Sequence, residues 1–174
     1  KQFPDQEVVW AKSDIMPLLN KHENSWPAET LRRDWLEQLA RTAQWTDFAE
    51  QRQRLRYRPD QGVECADLMY AAEQGQLVRY KLNSVISFDK RLPKTCRVLL
   101  KNLYKVGGIT AQDLDRHVLQ LVAGNQLTNA AKFVDEFEDT AWGKTINSNR
   151  LREATANPEK YLKSAPATEA TDLY

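Results

Sequence analysis

The stretch SWPAETLRRDWLEQLA, residues 25–40, decides the fold class of this chain. Its apolar residues recur at intervals of three and four positions: Leu31, Trp35, Leu36 and Leu39. This spacing places them on one face of an α-helix, which can pack against a neighbouring element. Ser25 supplies a side-chain oxygen that can accept a hydrogen bond from a free N–H group at a helix start. The stretch therefore predicts a long amphipathic helix that begins after Ser25.

Similar periodicity extends outward in both directions along the chain. Turn and capping signals divide the chain into helices. The first of these are Gln6–Asn20, where Pro17 is expected to kink the helix or end it early, a helix from Thr46-Asp47 onward, and Asp60–Glu73 before Gly75. The later ones are Leu77–Ser87, a helix from Pro93 as first helical residue to Gly107-Gly108, a helix from a capping box at Thr110–Asp113 to Gly124-Asn125, Leu127–Phe137, and Asn157–Leu162. Only Val85–Phe88 leans towards a strand, and it is too short to build a sheet.

Helices of this length joined by tight turns predict an all-α protein. A single pair of such helices cannot bury its apolar side alone, so neighbouring pairs are expected to share one continuous core. The predicted architecture is an open superhelix, or solenoid, of antiparallel helix pairs, with a closed helical bundle as the alternative. The predicted domain covers residues 1–164, and residues 165–174 read as a tail or linker without a packing pattern.

Composition and charge exclude several classes of function. The 25 Lys and Arg residues nearly balance the 24 Asp and Glu residues, so the net charge of +1 gives no broad footprint for nucleic acid. The basic run Arg52–Arg58 is read as a solvated helix face rather than a site for a polyanion. No apolar stretch approaches the ~20 residues that span a bilayer. No signal peptide follows Lys1, which does not argue against export because mature exported chains have lost theirs.

Two cysteines, Cys65 and Cys96, are the only ones in the chain. Their wide separation does not match the short spacings that hold metals or haem, and His22 and His117 are far apart, so neither a metal site nor a cofactor is predicted. On spacing alone two alternatives stay open. One is a structural disulfide in an exported protein, and the other is a pair of free buried thiols in a cytosolic protein.

No catalytic motif of high specificity is present. Asp135, Glu136, Glu138 and Asp139 form an acidic cluster that could house a glycosidase-type carboxylate pair, although an exposed helix end is the favoured interpretation. His117 is read as a structural or surface residue within a helix. Core and junction packing is the favoured role for most of the five tryptophans, although any of them could stack on sugar rings. They are Trp10, Trp26, Trp35, Trp45 and Trp142.

Residues 25–129 resemble part of the helical superhelix domain of the soluble lytic murein transglycosylases, periplasmic enzymes that cleave peptidoglycan glycan strands. The resemblance rests on three passages: residues 25–40 followed by Trp45-Thr46-Asp47-Phe48; Cys65 with Tyr70-Ala71-Ala72 and Gly75; and Leu92-Pro93-Lys94-Thr95-Cys96 followed by Gly107-Gly108-Ile109-Thr110, Arg116 and Ala123-Gly124-Asn125. It covers about 60% of the chain, since 105 of the 174 residues lie between positions 25 and 129.

The resemblance implies a fold, a compartment and a partner. In that family the two cysteines pair within a U-shaped domain, so a Cys65–Cys96 disulfide and a periplasmic location are expected. The implied partners are peptidoglycan glycan strands or the catalytic domain of the same enzyme. Trp26, Arg32, Arg33 and Trp45 are the candidates to face glycan.

The departures from the family limit what can be carried over. The catalytic motifs, Glu-Ser with an aromatic residue, Gly-Leu-Met-Gln and Ala-Tyr-Asn-Ala-Gly, do not occur in this chain, so no catalytic residue is assigned. Leu77–Phe88 lacks the family's Leu-Trp, and the sequence after Trp142 matches poorly. The chain is expected to be a non-catalytic module, either an N-terminal fragment of such an enzyme or a stand-alone relative. The alternative function is a helical-repeat scaffold that binds a protein partner in the periplasm.

Overall fold

Every regular element in the structure, a computed structural model that describes residues 9–76, 79–146 and 148–156, is an α-helix. The helices are α1 Lys12–Lys21, α2 Trp26–Arg41, α3 Trp45–Arg54, α4 Gln61–Glu73, α5 Arg79–Ile86, α6 Lys94–Lys105, α7 Ala111–Ala123, α8 Leu127–Asp135, α9 Ala141–Thr145 and α10 Ser148–Ala156. The all-α prediction is thus confirmed, and Val85–Phe88 is not a strand.

The chain divides into two compact units. In the N-terminal unit, Lys1–Leu77, α2 is the central element and packs against α1, α3 and α4. The apolar face predicted for α2 is buried at Trp35, Leu36 and Leu39, whereas Leu31 is only half-buried. Phe48 of α3 and Val63 of α4 complete the core of this unit.

The C-terminal unit, Val78–Tyr174, is built around α7 and α8. Helix α8 packs against α7 and α10, and α7 also packs against α5. Its core includes a cluster of aromatic rings in which Phe133 lies 4.8 Å from Phe137 and Trp142 lies 5.4 Å from Phe137, centroid to centroid. The indole N–H of Trp142 donates to Asp115 Oδ1 at 2.8 Å, so the buried ring keeps its polar group satisfied.

Side-chain caps lie at three helix starts; the sequence predicts those at Ser25 and Thr110–Asp113, whereas Asp60, predicted as a first helical residue, is an N-cap. Ser25 Oγ accepts from the N–H of Ala28 at 3.3 Å, and Asp60 Oδ1 accepts from the N–H of Val63 at 3.0 Å. Thr110 and Asp113 form a reciprocal capping box at the start of α7. These caps satisfy N–H groups that have no partner within the helix, and substituting one by Ala costs about 1 kcal/mol.

Other predicted boundaries are wrong by a residue or more. Helix α3 begins at Trp45, one residue before the predicted start, because Gln44 takes the N-cap position without a side-chain hydrogen bond. Pro93 is the N-cap of α6 rather than its first helical residue. The predicted end of α7 at Gly124-Asn125 is confirmed, with Gly124 as the C-cap and the left-handed backbone at Asn125, where φ is 57°. Pro17 lies inside α1 without ending it.

The sequence also missed two elements near the end of the described chain. Helices α9 and α10 occupy a region from which no helix was predicted, and Thr140 caps α9 by accepting from the N–H of Gly143 at 3.0 Å. The predicted helix at Asn157–Leu162 and the predicted tail at 165–174 lie outside the described residues, as does the start of the helix predicted from Gln6.

Gly143 marks the closest backbone approach in this region. A Cβ atom at Gly143 would collide with the backbone carbonyl of Phe137, which belongs to the turn that Thr140 closes. The same carbonyl already accepts hydrogen bonds from the hydroxyl and the N–H of Thr140. Because the obstacle is backbone rather than a flexible side chain, the turn requires glycine at this position.

Candidate functional site

Arg32 lies inside the N-terminal unit rather than on its surface. Its guanidinium forms an ion pair with Glu29 one helical turn earlier, and the two side chains are 4% and 1% exposed. Gln51 Oε1 accepts from Arg32 Nε at 3.4 Å, and the second oxygen of Glu29 accepts from the N–H of Arg56 at 2.8 Å. This buried network joins α2 to α3 and the segment after it.

The sequence holds a signal for this placement. Ala28, Arg32, Trp35, Leu36 and Leu39 follow the same spacing of three and four residues, so Arg32 falls on the buried face. The apolar pattern alone favoured Leu31 for that face. The buried side thus includes a charged residue with its counter-ion in the same helix.

The other three candidate glycan-facing residues lie in different surroundings. Trp26 at the start of α2 is 67% exposed. Trp45 is half-buried, with its ring 6.0 Å from Phe48 and 5.8 Å from Tyr70, an aromatic cluster that joins α3 to α4. Arg33 is half-buried and donates from Nη2 to the carbonyl of Arg58 at 3.0 Å.

Three members of the acidic cluster at the end of α8 are paired with neighbouring cations. Asp139 accepts hydrogen bonds from Lys101 and Lys105, which lower its pKa to about 2. Glu136 pairs with Arg97, and Asp135 pairs with Arg152. A glycosidase acid needs a raised pKa, so the lowered value supports the interpretation of this cluster as a charged surface.

Neither cysteine is a free thiol. Cys65 on α4 and Cys96 on α6 are fully buried and both disulfide-bonded. The prediction of a disulfide is confirmed, and the alternative of two free buried thiols is wrong. A disulfide that closes a loop of this length stabilises a fold by about 3–4 kcal/mol in the chain-entropy model.

A polar cleft in the N-terminal unit, here named the Trp10 cleft, was not predicted from the sequence. It has a volume of about 210 Å³ and is lined by Trp10, Asp34, Glu37, Gln38 and Arg41. Two reciprocal hydrogen bonds join the backbone of Trp10 to the side chain of Gln38 on α2. The backbone N–H of Trp10 donates to Gln38 Oε1 at 2.8 Å, and its backbone carbonyl accepts from Gln38 Nε2 at 2.9 Å.

The electrostatics of the Trp10 cleft are mixed rather than uniformly acidic. Glu37 forms an ion pair with Arg41 at 3.5 Å along α2. Burial raises the pKa of Asp34, and the nearby charge of Asp60 raises it further, although Arg33 and Arg41 partly offset both effects. The cleft therefore offers hydrogen-bond acceptors, a guanidinium donor and an aromatic residue within one small space.

A second, smaller cleft lies in the C-terminal unit and is named here the His117 cleft. It is lined by Arg91, Leu92, Arg97, His117, Leu121, Asn129, Lys132 and Phe133. His117 is fully buried, and its ring lies 4.6 Å from the ring of Phe133. Of the two predicted alternatives for His117, a structural or a surface residue, the structure supports the first, because the side chain is buried and lines a cleft.

Across residues 9–76, 79–146 and 148–156, no group of three or more His, Cys, Asp or Glu side chains could hold a metal ion. In the same ranges no helix is both long enough and apolar enough to cross a membrane. No family model matches the sequence, and no curated protein and no solved structure matches it either.

Proposed function

We propose that this chain is a non-catalytic helical module of a periplasmic lytic transglycosylase, and that it holds peptidoglycan glycan strands for a catalytic domain. The proposal includes the open superhelix of antiparallel helix pairs that the sequence predicts. It draws on the three passages that resemble the transglycosylase superhelix and on the disulfide-bonded state of Cys65 and Cys96.

The Trp10 cleft is the observation that carries this proposal. Its volume of about 210 Å³ is below the ~300–1,000 Å³ of sites for drug-sized ligands, so it suits a group the size of one sugar ring. A sugar ring presents C–H groups that pack on an aromatic face and hydroxyl groups that need donors and acceptors. Trp10 supplies the aromatic group, and Asp34, Glu37 and Arg41 supply the polar ones.

The state of Asp139 in the acidic cluster supports a non-catalytic role. Asp139 has a pKa of about 2 and is held by two lysines, so it stays ionised and cannot donate a proton to a glycosidic oxygen near neutral pH. The module would therefore bind and orient the strand, and the catalytic acid would come from the separate catalytic domain.

The test is co-sedimentation of the purified chain with isolated peptidoglycan sacculi, combined with an assay for released anhydro-muropeptides. We expect binding without release. Trp10→Ala should weaken co-sedimentation by roughly two- to tenfold, the equivalent of one aromatic contact. The substitution leaves both backbone hydrogen bonds to Gln38 intact, so the local fold should be retained.

Trp26→Ala is the matched control, since it removes an exposed tryptophan outside the cleft. A loss confined to Trp26→Ala would move the glycan contact away from the Trp10 cleft. Release of anhydro products by the chain alone would contradict a non-catalytic role. Absence of binding would contradict the glycan-facing role and favour the protein-binding scaffold.

A further inference from the structure

His117 carries a buried ring nitrogen that has no hydrogen-bond partner among the residues that the structure describes. Its Nδ1 lies 3.1 Å from the backbone carbonyl of Ile86 at the end of α5. A carbonyl oxygen can only accept, so Nδ1 carries the proton and Nε2 of the neutral ring presents a lone pair. Within the part of the chain that the structure describes, Nε2 is buried without any hydrogen-bond partner. Buried polar atoms are rarely left in this state, so the atom needs an occupant of the cleft.

Cations from three different segments line the same cleft. Arg91 comes from the segment before α6, Arg97 from α6 and Lys132 from α8. Glu136 pairs with Nη1 of Arg97, yet Arg97 Nε is buried without a partner among the described residues. Burial lowers the pKa of Arg97, and the positive charge of Arg91 lowers it further. A negative charge placed between these groups would relieve this repulsion.

The size of the cleft limits what can enter it. Its volume is about 10 Å³, which is close to the smallest space that holds one water molecule. A sugar ring cannot enter, but one oxygen atom can. The remainder of any ligand must stay at the mouth, where the exposed side chains of Arg91 and Lys132 lie.

We propose that the His117 cleft binds an oxyanion group, a carboxylate or a phosphate, with one oxygen inserted against His117 Nε2 and the others held by Arg91, Arg97 and Lys132. The bound anion draws a proton from solvent onto Nε2, so the imidazolium donates to the inserted oxygen while Nδ1 keeps its bond to Ile86. No covalent bond forms or breaks in the ligand. The inference is independent of the glycan proposal, which rests on the other unit.

Binding of the anion should be coupled to pH. In the free chain burial lowers the pKa of His117, and the bond to the Ile86 carbonyl opposes this effect. Among the described residues, the charged side chains that line the cleft together with the ring are Arg91, Arg97 and Lys132, and Glu136 is already engaged by Arg97. An anion stabilises the imidazolium and raises the pKa, so affinity should increase as the pH falls below neutral.

The chain contains only two histidines, which makes the test direct. Nitrogen-15 NMR of the imidazole rings would be recorded during separate titrations with inorganic phosphate, sodium acetate and, at matched ionic strength, sodium chloride. We expect the Nδ1–H tautomer for His117 in chloride, and a rise in its apparent pKa by about one unit or more with the preferred oxyanion. His22 is exposed and should not respond to either oxyanion beyond its response to chloride. The stronger response, to phosphate or to acetate, identifies the group that binds.

Substitutions at the mouth of the cleft complete the test. Lys132→Met and Arg91→Met should each weaken binding several-fold, and both residues are exposed, so folding should be retained. Lys144→Met removes the same charge from an exposed position of the C-terminal unit that does not line the cleft, and it should leave binding unchanged. An unaltered His117 in both oxyanion titrations would overturn the proposal and leave one bound water as the occupant. An equal loss in Lys144→Met would also overturn it, because the response would then reflect overall charge.

Discussion

The two units each hold an arginine–carboxylate pair that ties secondary structure together, but they expose the pairs to solvent differently. In the N-terminal unit Arg32 and Glu29 are 4% and 1% exposed. In the C-terminal unit Asp113 is 3% exposed, whereas its partner Arg79 is 52% exposed and donates to both carboxylate oxygens at 2.7 and 2.8 Å. Both partners of the Arg32–Glu29 pair are therefore buried, whereas in the Arg79–Asp113 pair the cation remains exposed to solvent.

This difference determines what happens when one partner is lost. A fully buried charge without its counter-ion suffers the full cost of desolvation, so each partner of the Arg32–Glu29 pair depends on the other. Arg79 can be hydrated without Asp113, and Asp113 also accepts from the N–H of Thr110 at 2.9 Å. The second pair therefore acts mainly as a capping device for α7, to which Arg79 adds a modest electrostatic contribution.

The largest expected effect is that of Arg32→Met. The substitution leaves the Glu29 carboxylate buried with only the N–H of Arg56 as its described partner, which should lower the free energy of unfolding by about 3–5 kcal/mol. Urea denaturation followed by circular dichroism measures this loss. Adding Glu29→Gln to the variant removes the unpaired charge and should recover part of the stability. A loss below about 1 kcal/mol, within the usual range of surface pairs, would contradict the buried-pair interpretation.

An intermediate effect is expected at Asp113. Asp113→Ala removes one half of the capping box of α7 and leaves the N–H of Thr110 without its acceptor, at a cost of about 1–2 kcal/mol. Arg79→Met removes only the exposed cation and should cost no more than about 1 kcal/mol, because solvent screens that half of the pair. Thermal unfolding of both variants shows which substitution lowers the stability more. Equal losses would show that the ion pair, rather than the cap, is the dominant contribution.

The smallest expected effect is a dependence of stability on pH through His117. Burial lowers the pKa of His117 in the folded chain below the ordinary value of 6.5. At a pH between the folded-state pKa and 6.5, the unfolded chain therefore binds a proton that the folded chain does not. Stability from this residue is therefore present above pH 6.5 and declines as the pH falls below it. Urea midpoints at about pH 7.5 and about pH 5 would measure the decline, in buffers without phosphate or carboxylate.

Two histidine substitutions separate this contribution from the rest of the titration. His117→Gln should flatten the pH dependence in this range, while His22→Gln at an exposed position should not change it. Asp113 stabilises the fold at neutral pH and changes the pH dependence of stability only at a lower pH than His117 does. Burial would raise its pKa, but hydrogen bonds from Thr110 and Arg79 outweigh that effect and lower it, so its stabilisation is lost as the pH falls below about 4. An unchanged slope in His117→Gln would contradict the assignment.

The features that the sequence predicts correctly are local ones. Ser25 and the Thr110–Asp113 box act on N–H groups within three residues, so their effect can be predicted without knowing the fold. The left-handed Gly75, with φ of 67°, ends α4 for a similar reason. The helical class follows from such signals together with the spacing of apolar residues.

The candidate sites could not be predicted because they depend on contacts between distant residues. Trp10 joins the first cleft through Gln38, which lies 28 positions along the chain. His117 owes its tautomer to Ile86, which lies 31 positions away. The residues next to Trp10 or His117 in the sequence do not indicate which distant residue each of them contacts. Arg32 differs, because it was predicted to face glycan although its spacing from Trp35 and Leu36 indicates the buried face.

Gly143 has a consequence for recognising relatives of this chain. Because the carbonyl of Phe137 occupies the space of a Cβ atom, any protein that keeps this turn must keep glycine at the equivalent position. Thr140 must stand three residues before this glycine, because its hydroxyl oxygen accepts the hydrogen bond from the N–H of Gly143. A threonine followed three positions later by glycine, with a tryptophan between them at the place of Trp142, gives a short anchor for alignment in a region where helix periodicity is weak.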